Sequence, residues 1–232
     1  MCITNLLNSK KSIIEIKSIE DYIKEVNKLG KGTKLFRGQS DKAYPLLPQI
    51  GRNSDYHAEK EKQLFLDFKR HYYLYSDNRP KSDMDLLFLA QHYSLPTRLL
   101  DWTYNPLIAL YFACQGKPDK VGSVFVYNIG MEKGEKVIEG HDLDNNVFSE
   151  ESSIREPVFL IPDYTERRFL NQKGMFLWFK NPTKPFEDYN CRIEVKNKSK
   201  IKEELSLFGI TDSFVYTDLD HLCLELKTKY SQ

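Results

Sequence analysis

The sequence predicts an α+β domain whose N-terminal helices pack on a central mixed or antiparallel sheet. In the first half of the chain, apolar residues recur three and four residues apart, which indicates amphipathic helices. In the second half, short segments rich in Val, Ile, Phe and Trp are bounded by Gly, Pro or Asn, which indicates strands. The length of 232 residues, of which 41% are hydrophobic, is enough for one large core or for one core with a small appendage. We therefore predict an N-terminal tail over residues 1–15 and a single domain over residues 16–228.

The predicted helices share apolar positions at helical spacing. The first begins at the Ser18 cap and ends near Gly30. The helix that follows Pro106 is apolar nearly all round, so it should be buried. The six predicted helices cover residues 18–29, 57–75, 83–93, 107–114, 199–207 and 218–226.

The predicted strands are short and rich in β-branched and aromatic residues. The first covers residues 34–38 and stops at Gly38, which places Arg37 near a strand end. The later strands cover residues 122–129, 157–161, 175–179 and 191–195. The polar and acidic segment 130–153 is predicted to be a surface excursion.

Composition excludes several classes of protein. The net charge of +1 provides no global attraction for nucleic acid or for an anionic membrane. No apolar run is long enough for a membrane span, and the N-terminus lacks the apolar region of a signal peptide, so we expect a cytoplasmic protein. The four cysteines form no CxxC pair and the histidines show no ligand spacing, so we expect neither a disulfide framework nor a metal.

Two segments set polar residues inside apolar sequence. The first reads Phe-Arg-Gly-Gln at residues 36–39, where Gly38 allows a ligand or another backbone to approach the guanidinium of Arg37. The second reads Gln-His-Tyr-Ser-Leu-Pro-Thr-Arg-Leu-Leu-Asp-Trp-Thr at residues 91–103 and precedes the apolar helix. Such groups must bond one another or a ligand, because burying them without partners is costly.

Structural roles for the same residues are open alternatives. Arg37 could pair with Asp101 beneath the core helix without touching a ligand. Arg98 could instead form a local salt bridge with Asp101, three residues away. Thr103 is a suitable cap for the helix that follows, and His92 could bond only to backbone at the end of its own helix.

The order of these motifs resembles the FRG domain, a family named for its Phe-Arg-Gly motif. The resemblance rests on residues 36–39, on residues 91–103 and on Ala-Leu-Tyr-Phe-Ala at residues 109–113. It spans roughly residues 16–180, and the closing stretch 209–220 is also similar.

A more distant resemblance is to ADP-ribosyltransferase folds. These place an Arg on an early strand, a Ser or Thr on a strand before a core helix, and a Glu or Gln at a late strand. The resemblance implies Arg37 for the first role, Thr97 or Thr103 for the second and Gln172 for the third. Because Gln172 lacks the negative charge that a Glu places beside an oxocarbenium ion, Glu156 is the alternative for the third role.

These resemblances imply a NAD-binding or NAD-consuming intracellular effector, such as a toxin or a phage-defence component, with NAD as its substrate and no metal. The implied catalytic residues are Arg37, Thr97, Gln172 and Glu156. The residues implied to bind NAD are Arg37, Gly38, Gln39, His92, Thr97, Arg98, Asp101 and Thr103. Asp101 is expected to orient the arginines.

Two hypotheses from other classes stand beside this one. The first is a non-catalytic sensor or adaptor that binds a nucleotide, a peptide or a nucleic-acid end without turnover. The second is a purely structural role for the motifs, in which Arg37→Ala and Asp101→Ala each destabilise the domain strongly. The expected partners are a nucleotide or another small molecule, with a macromolecular target or an inhibitor protein left open. No membrane partner is expected, and nucleic acid is the least favoured of the partners considered.

Overall fold

A computed structural model describes residues 12–129, 136–139, 147–148, 157–162 and 167–231. The strands of the described residues are β1 Ser12–Ile16, β2 Thr33–Gln39, β3 Leu99–Thr103, β4 Gly122–Ile129, β5 Lys136–Glu139, β6 Val158–Ile161, β7 Gly174–Trp178 and β8 Cys191–Val195. The α-helices are α1 Ile19–Asn27, α2 Ala58–His71, α3 Asp83–His92, α4 Pro106–Ala113, α5 Arg167–Gln172, α6 Lys198–Leu207, α7 Asp212–Tyr216 and α8 Leu219–Tyr230. Short 3₁₀ turns occupy Gln49–Arg52 and Tyr72–Leu74.

The strands form one eight-stranded sheet in the order β1-β8-β4-β2-β3-β7-β6-β5. Strand β1 runs parallel to β8 and β5 runs parallel to β6, whereas the other neighbours are antiparallel. The predicted combination of helices with a mixed sheet is therefore confirmed. Within the described part of the chain, no helix is both long and apolar enough to cross a bilayer.

The sheet consists of two halves that meet at one residue pair. Strand β2 pairs with β4 along its whole length, and β3 pairs likewise with β7. Between β2 and β3, however, the register contains only Phe36 opposite Thr103. The end of β2 therefore diverges from the beginning of β3.

Helices cover one face of the sheet, and irregular segments cover the other. Helix α4 packs with α1 and α6 on the first half of the sheet, in a core that includes Phe36, Val124 and Ile193. Helices α2 and α3 contribute to the core on the same face of the second half, where Leu99 and Phe176 are buried. Because side chains alternate along a strand, the other face presents a separate aromatic cluster. That cluster includes Trp102, Tyr127, Phe159 and Phe179, with Leu46 and Phe186 from irregular segments.

Helix α4 lies unusually close to the sheet, and two glycines make this possible. A Cβ atom on Gly38 would lie 1.9 Å from the carbonyl oxygen of Ala109, and one on Gly122 would lie 2.1 Å from that of Ala113. The predicted burial of this helix is confirmed, since residues such as Ile108 and Leu110 are fully inaccessible. Gly38 thus serves the approach of a second backbone.

Most predicted elements lie where the sequence places them, but three strands were not predicted. Strand β1 falls largely within the predicted N-terminal tail. Strand β3 falls within the polar motif at residues 91–103, and β5 falls within the predicted surface excursion. Helices α5 and α7, each shorter than two turns, were also not predicted.

Candidate functional site

The candidate site lies where β2 diverges from β3. From β2, the Arg37 guanidinium donates through Nη1 to the carbonyl oxygen of Asp101 on β3, at 2.5 Å. The same nitrogen lies 3.6 Å from Asp101 Oδ2. Arg37 therefore joins the two halves of the sheet beyond their single residue pair.

Arg37 is a buried cation with unused hydrogen-bonding capacity. Its side chain is only 12% exposed, and its Nε atom is buried without a partner among the described residues. The pKa of Arg37 is lowered to about 10, mainly because of burial; the carboxylate of Asp101 opposes this shift and the positive charge of Arg52 adds to it. The guanidinium therefore remains charged at neutral pH, with Arg52 close enough to add positive potential.

A chain of hydrogen bonds holds the carboxylate of Asp101 in place. Gln91 on α3 donates through Nε2 to both carboxylate oxygens, at 3.3 and 3.1 Å. Its Oε1 accepts from the Thr97 hydroxyl at 2.6 Å, and that hydroxyl accepts from the backbone N–H of Leu99 at 3.1 Å. These bonds fix which way the Gln91 amide points, because the ionised carboxylate of Asp101 can only accept hydrogen bonds and therefore must face the amide nitrogen. We call Arg37, Gln91, Thr97 and Asp101 the Arg37 cluster.

The Asp101 side chain is the most exposed part of the Arg37 cluster, at 57% exposed. His92 follows Gln91 at the end of α3, and its ring packs edge-on against Tyr93 at a centroid distance of 4.8 Å. The 3₁₀ turn that carries Arg52 lies beside Thr97, since the N–H of Ile50 donates to the Thr97 carbonyl at 3.3 Å. The cluster thus combines a buried cation, a second arginine nearby and an exposed carboxylate.

Arg98 has a different environment from Arg37. Its Nε and Nη2 donate to the two carboxylate oxygens of Glu61 on α2, at 2.7 and 2.5 Å. Both side chains are almost fully buried, at 4% and 2% exposed. The Tyr56 hydroxyl donates to the same carboxylate at 2.6 Å. The structure therefore pairs Arg98 with Glu61, and the local salt bridge with Asp101 that the sequence allowed is wrong.

Residues 32–121 match the family model of the FRG domain. The match supports the FRG family. We call residues 32–121 the FRG segment. It contains the whole Arg37 cluster and the Arg98–Glu61 pair. Searches for similarity among curated proteins and among solved structures return no match.

Two predicted residues meet at the other end of β3. The Thr103 hydroxyl donates to the Gln172 carbonyl at 2.5 Å and accepts from the N–H of Asn105 at 2.9 Å. Asn105 is the side-chain cap of α4, so the predicted capping role of Thr103 is corrected. The Gln172 side chain donates to the carbonyl of Val215 at 3.1 Å. Protein groups thus engage both side chains.

The remaining predicted site residues lie in varied settings. Gly38 faces the backbone of α4, as described above. Gln39 is 5% exposed and donates to the Pro45 carbonyl at 3.3 Å. Its Oε1 has no partner among the described residues. Glu156 lies outside the described residues.

The structure brings together Arg37, Thr97 and Asp101, and it keeps Arg98 apart from them in the buried pair with Glu61. Two contributors were not among the predicted site residues. Gln91 is the first residue of the polar motif at residues 91–103, so the motif could have identified it as a candidate site residue. Arg52 lies in a Pro-bearing loop outside both polar motifs, so nothing in the sequence marked it as a candidate.

Proposed function

We propose that the FRG segment binds a nucleotide at the Arg37 cluster, with NAD as the first candidate. The observation that carries this proposal is a buried, charged guanidinium with an unused N–H beside an exposed carboxylate. A guanidinium matches the oxygens of a phosphate, and a carboxylate accepts hydrogen bonds from the hydroxyls of a ribose. A nucleotide offers both groups on one small molecule.

The charges near the cluster favour an anionic ligand. Arg37 keeps its charge at neutral pH, and Arg52 adds a second positive charge close by. Asp101 is held by Gln91, so its carboxylate is preorganised to accept hydroxyl groups. NAD is chosen among nucleotides because the order of Arg37, Thr97 and Gln172 along the chain resembles that of ADP-ribosyltransferases.

Binding is the leading function because protein groups already engage several of the residues that were expected to bind or transform NAD. The side chains of Arg98, Thr103 and Gln172 all bond to other parts of the domain. A binding module needs only Arg37 and Asp101 to face its ligand. In the cytoplasm, such a module acts as a nucleotide sensor or adaptor.

NAD consumption is a second candidate, and the exposed Asp101 carboxylate favours it. A fixed negative charge near the anomeric carbon of a bound ribose stabilises an oxocarbenium ion as nicotinamide leaves. In this second candidate, Asp101 performs the role that the resemblance to ADP-ribosyltransferases implied for Gln172 or Glu156. A toxin or phage-defence effector belongs to this second candidate.

Calorimetric titration with NAD, ADP-ribose and AMP tests the proposal. Arg37→Gln removes the charge that binds phosphate, so we expect the affinity for all three to fall at least tenfold, or about 1.4 kcal/mol. Asp101→Asn should weaken binding as well, because a carboxylate accepts hydroxyl hydrogen bonds more strongly than an amide oxygen. Thermal melts of both variants establish that they are folded.

An exposed ion pair elsewhere supplies matched controls. Arg70 and Asp67 on α2 lie 2.8 Å apart at 64% and 62% exposure, so Arg70→Gln and Asp67→Asn make the same chemical changes away from the site. Both should bind as the wild type does. Absence of binding by folded wild type to every nucleotide refutes the proposal.

Chromatography of the same mixtures separates binding from turnover. Release of nicotinamide by the wild type, lost in Asp101→Asn, establishes the second candidate. Binding without release establishes the sensor or adaptor function.

A further inference from the structure

Helix α8 carries an apolar surface that the rest of the domain leaves uncovered. None of the residues of α8 is buried. Leu219, Leu222, Leu226 and Tyr230 are 72%, 42%, 43% and 77% exposed, and Cys223 is an exposed free thiol. Their spacing of three, four, seven and eleven residues from Leu219 places them on one side of the helix. We call these five residues the α8 stripe.

The α8 stripe faces away from the domain because α8 is attached through its other side. The His221 ring stacks on Tyr216 of α7 at a centroid distance of 4.0 Å. Glu225 accepts through Oε2 from the N–H of Ser213 at 3.1 Å. With about 100° of rotation per residue, His221 and Glu225 lie on the side opposite the stripe.

The charges beside the stripe are self-complementary. Asp220 and Lys227 are seven residues apart, so they lie on the same flank of the stripe. In an antiparallel pair of α8 helices, Asp220 of each copy faces Lys227 of the partner subunit. The same register packs Leu222 against Leu226 of the partner subunit and brings the two Cys223 side chains near the symmetry axis.

We propose that α8 is the contact surface of a homodimer in which two α8 helices pack antiparallel about a two-fold axis near Cys223. A two-fold axis repeats each contact, so one pattern of apolar and charged residues satisfies both subunits. A lipid surface fits less well. Two acidic and two basic residues balance the charge of α8, so anionic lipids exert no net attraction on it.

Thiol crosslinking tests the position of the axis. The full chain carrying Cys2→Ser is treated with a short bismaleimide, since Cys114 and Cys191 are buried. We expect a covalent dimer on a denaturing gel at protein concentrations where the wild type is dimeric. Adding Cys223→Ser should abolish it, whereas a dimer that persists without Cys223 contradicts the proposed axis.

Sedimentation measurements test the contacts themselves. Leu222→Asp should return the mass to that of a 27.3 kDa monomer. Leu224→Asp is the matched control, because Leu224 is 56% exposed on the same helix but lies off the stripe. Equal effects of the two substitutions contradict the proposal.

A charge exchange gives the most specific result. Asp220→Lys and Lys227→Asp should each weaken the dimer at least threefold, by about 0.65 kcal/mol, and the double variant should recover it. Three further outcomes overturn the proposal: wild type that stays monomeric at the highest soluble concentration, a double variant no better than the single ones, or vesicle binding that depends on Leu222.

Discussion

Replacing Arg98 tests whether this residue holds the domain together. Arg98→Met removes two charge-assisted hydrogen bonds of 2.7 and 2.5 Å and leaves the carboxylate of Glu61 buried. The Tyr56 hydroxyl, 2.6 Å away, is the hydrogen-bond donor that remains on that carboxylate. Because breaking one side of a buried ion pair costs about 3–5 kcal/mol, we expect the free energy of unfolding to fall by about that amount.

A second substitution separates loss of the pair from loss of side-chain volume. In Arg98→Met with Glu61→Leu, no charge is left stranded, so the double variant should be more stable than the sum of the single effects predicts. We expect a coupling of about 2 kcal/mol. Arg70→Met, in an exposed pair on α2, should change stability by no more than about 0.5 kcal/mol.

Urea unfolding followed by tryptophan fluorescence measures these differences. The two tryptophans, Trp102 and Trp178, are both buried, and the Arg98 guanidinium lies 6.0 Å from the Trp178 ring. A loss below about 1 kcal/mol in Arg98→Met, or additive single effects, refutes the structural role. Arg98 then returns to the set of candidate ligand-binding residues.

Two further predictions concern packing and pH. Gly38→Ala should destabilise the domain by about 3 kcal/mol, because its Cβ meets the backbone of α4. Gly174→Ala, whose Cβ lies 4.0 Å from its nearest neighbour, should change stability by no more than about 0.5 kcal/mol in the same urea assay, and similar losses contradict the packing argument. Hydrogen bonding from Ser213 lowers the pKa of Glu225, so its stabilisation is present above the unfolded pKa and is lost as pH falls through the folded value. Glu225→Gln should therefore reduce the acid dependence of the melting temperature, and an unchanged dependence contradicts this assignment.

Much of the fold could be predicted because its helices and inner strands follow simple periodicities. The α4 segment is apolar nearly all round, and its burial follows directly. Strand β3 was harder to predict, since Asp101 and Thr103 interrupt its apolar residues. Strand β5 lies in a stretch whose polar composition resembles a loop, so only its pairing with β6 identifies it.

The candidate site could be predicted only where its residues stand close together in sequence. Gln91, Thr97 and Asp101 belong to one motif, and the sequence allowed Asp101 to pair with Arg37. The partner of Arg98 could not be predicted, because Glu61 stands in an alternating run of Glu and Lys on a charged helix. Nothing in that run distinguishes the buried glutamate from Glu59, which is exposed.

The pairing of β1 with β8 has a consequence for how the chain folds during synthesis. Ser12 and Cys191 lie opposite each other, so the partner of β1 is synthesised much later than β1 itself. Contacts of such large sequence separation close long loops and slow folding. Strand β1 can therefore complete its place in the sheet only after β8 has been synthesised.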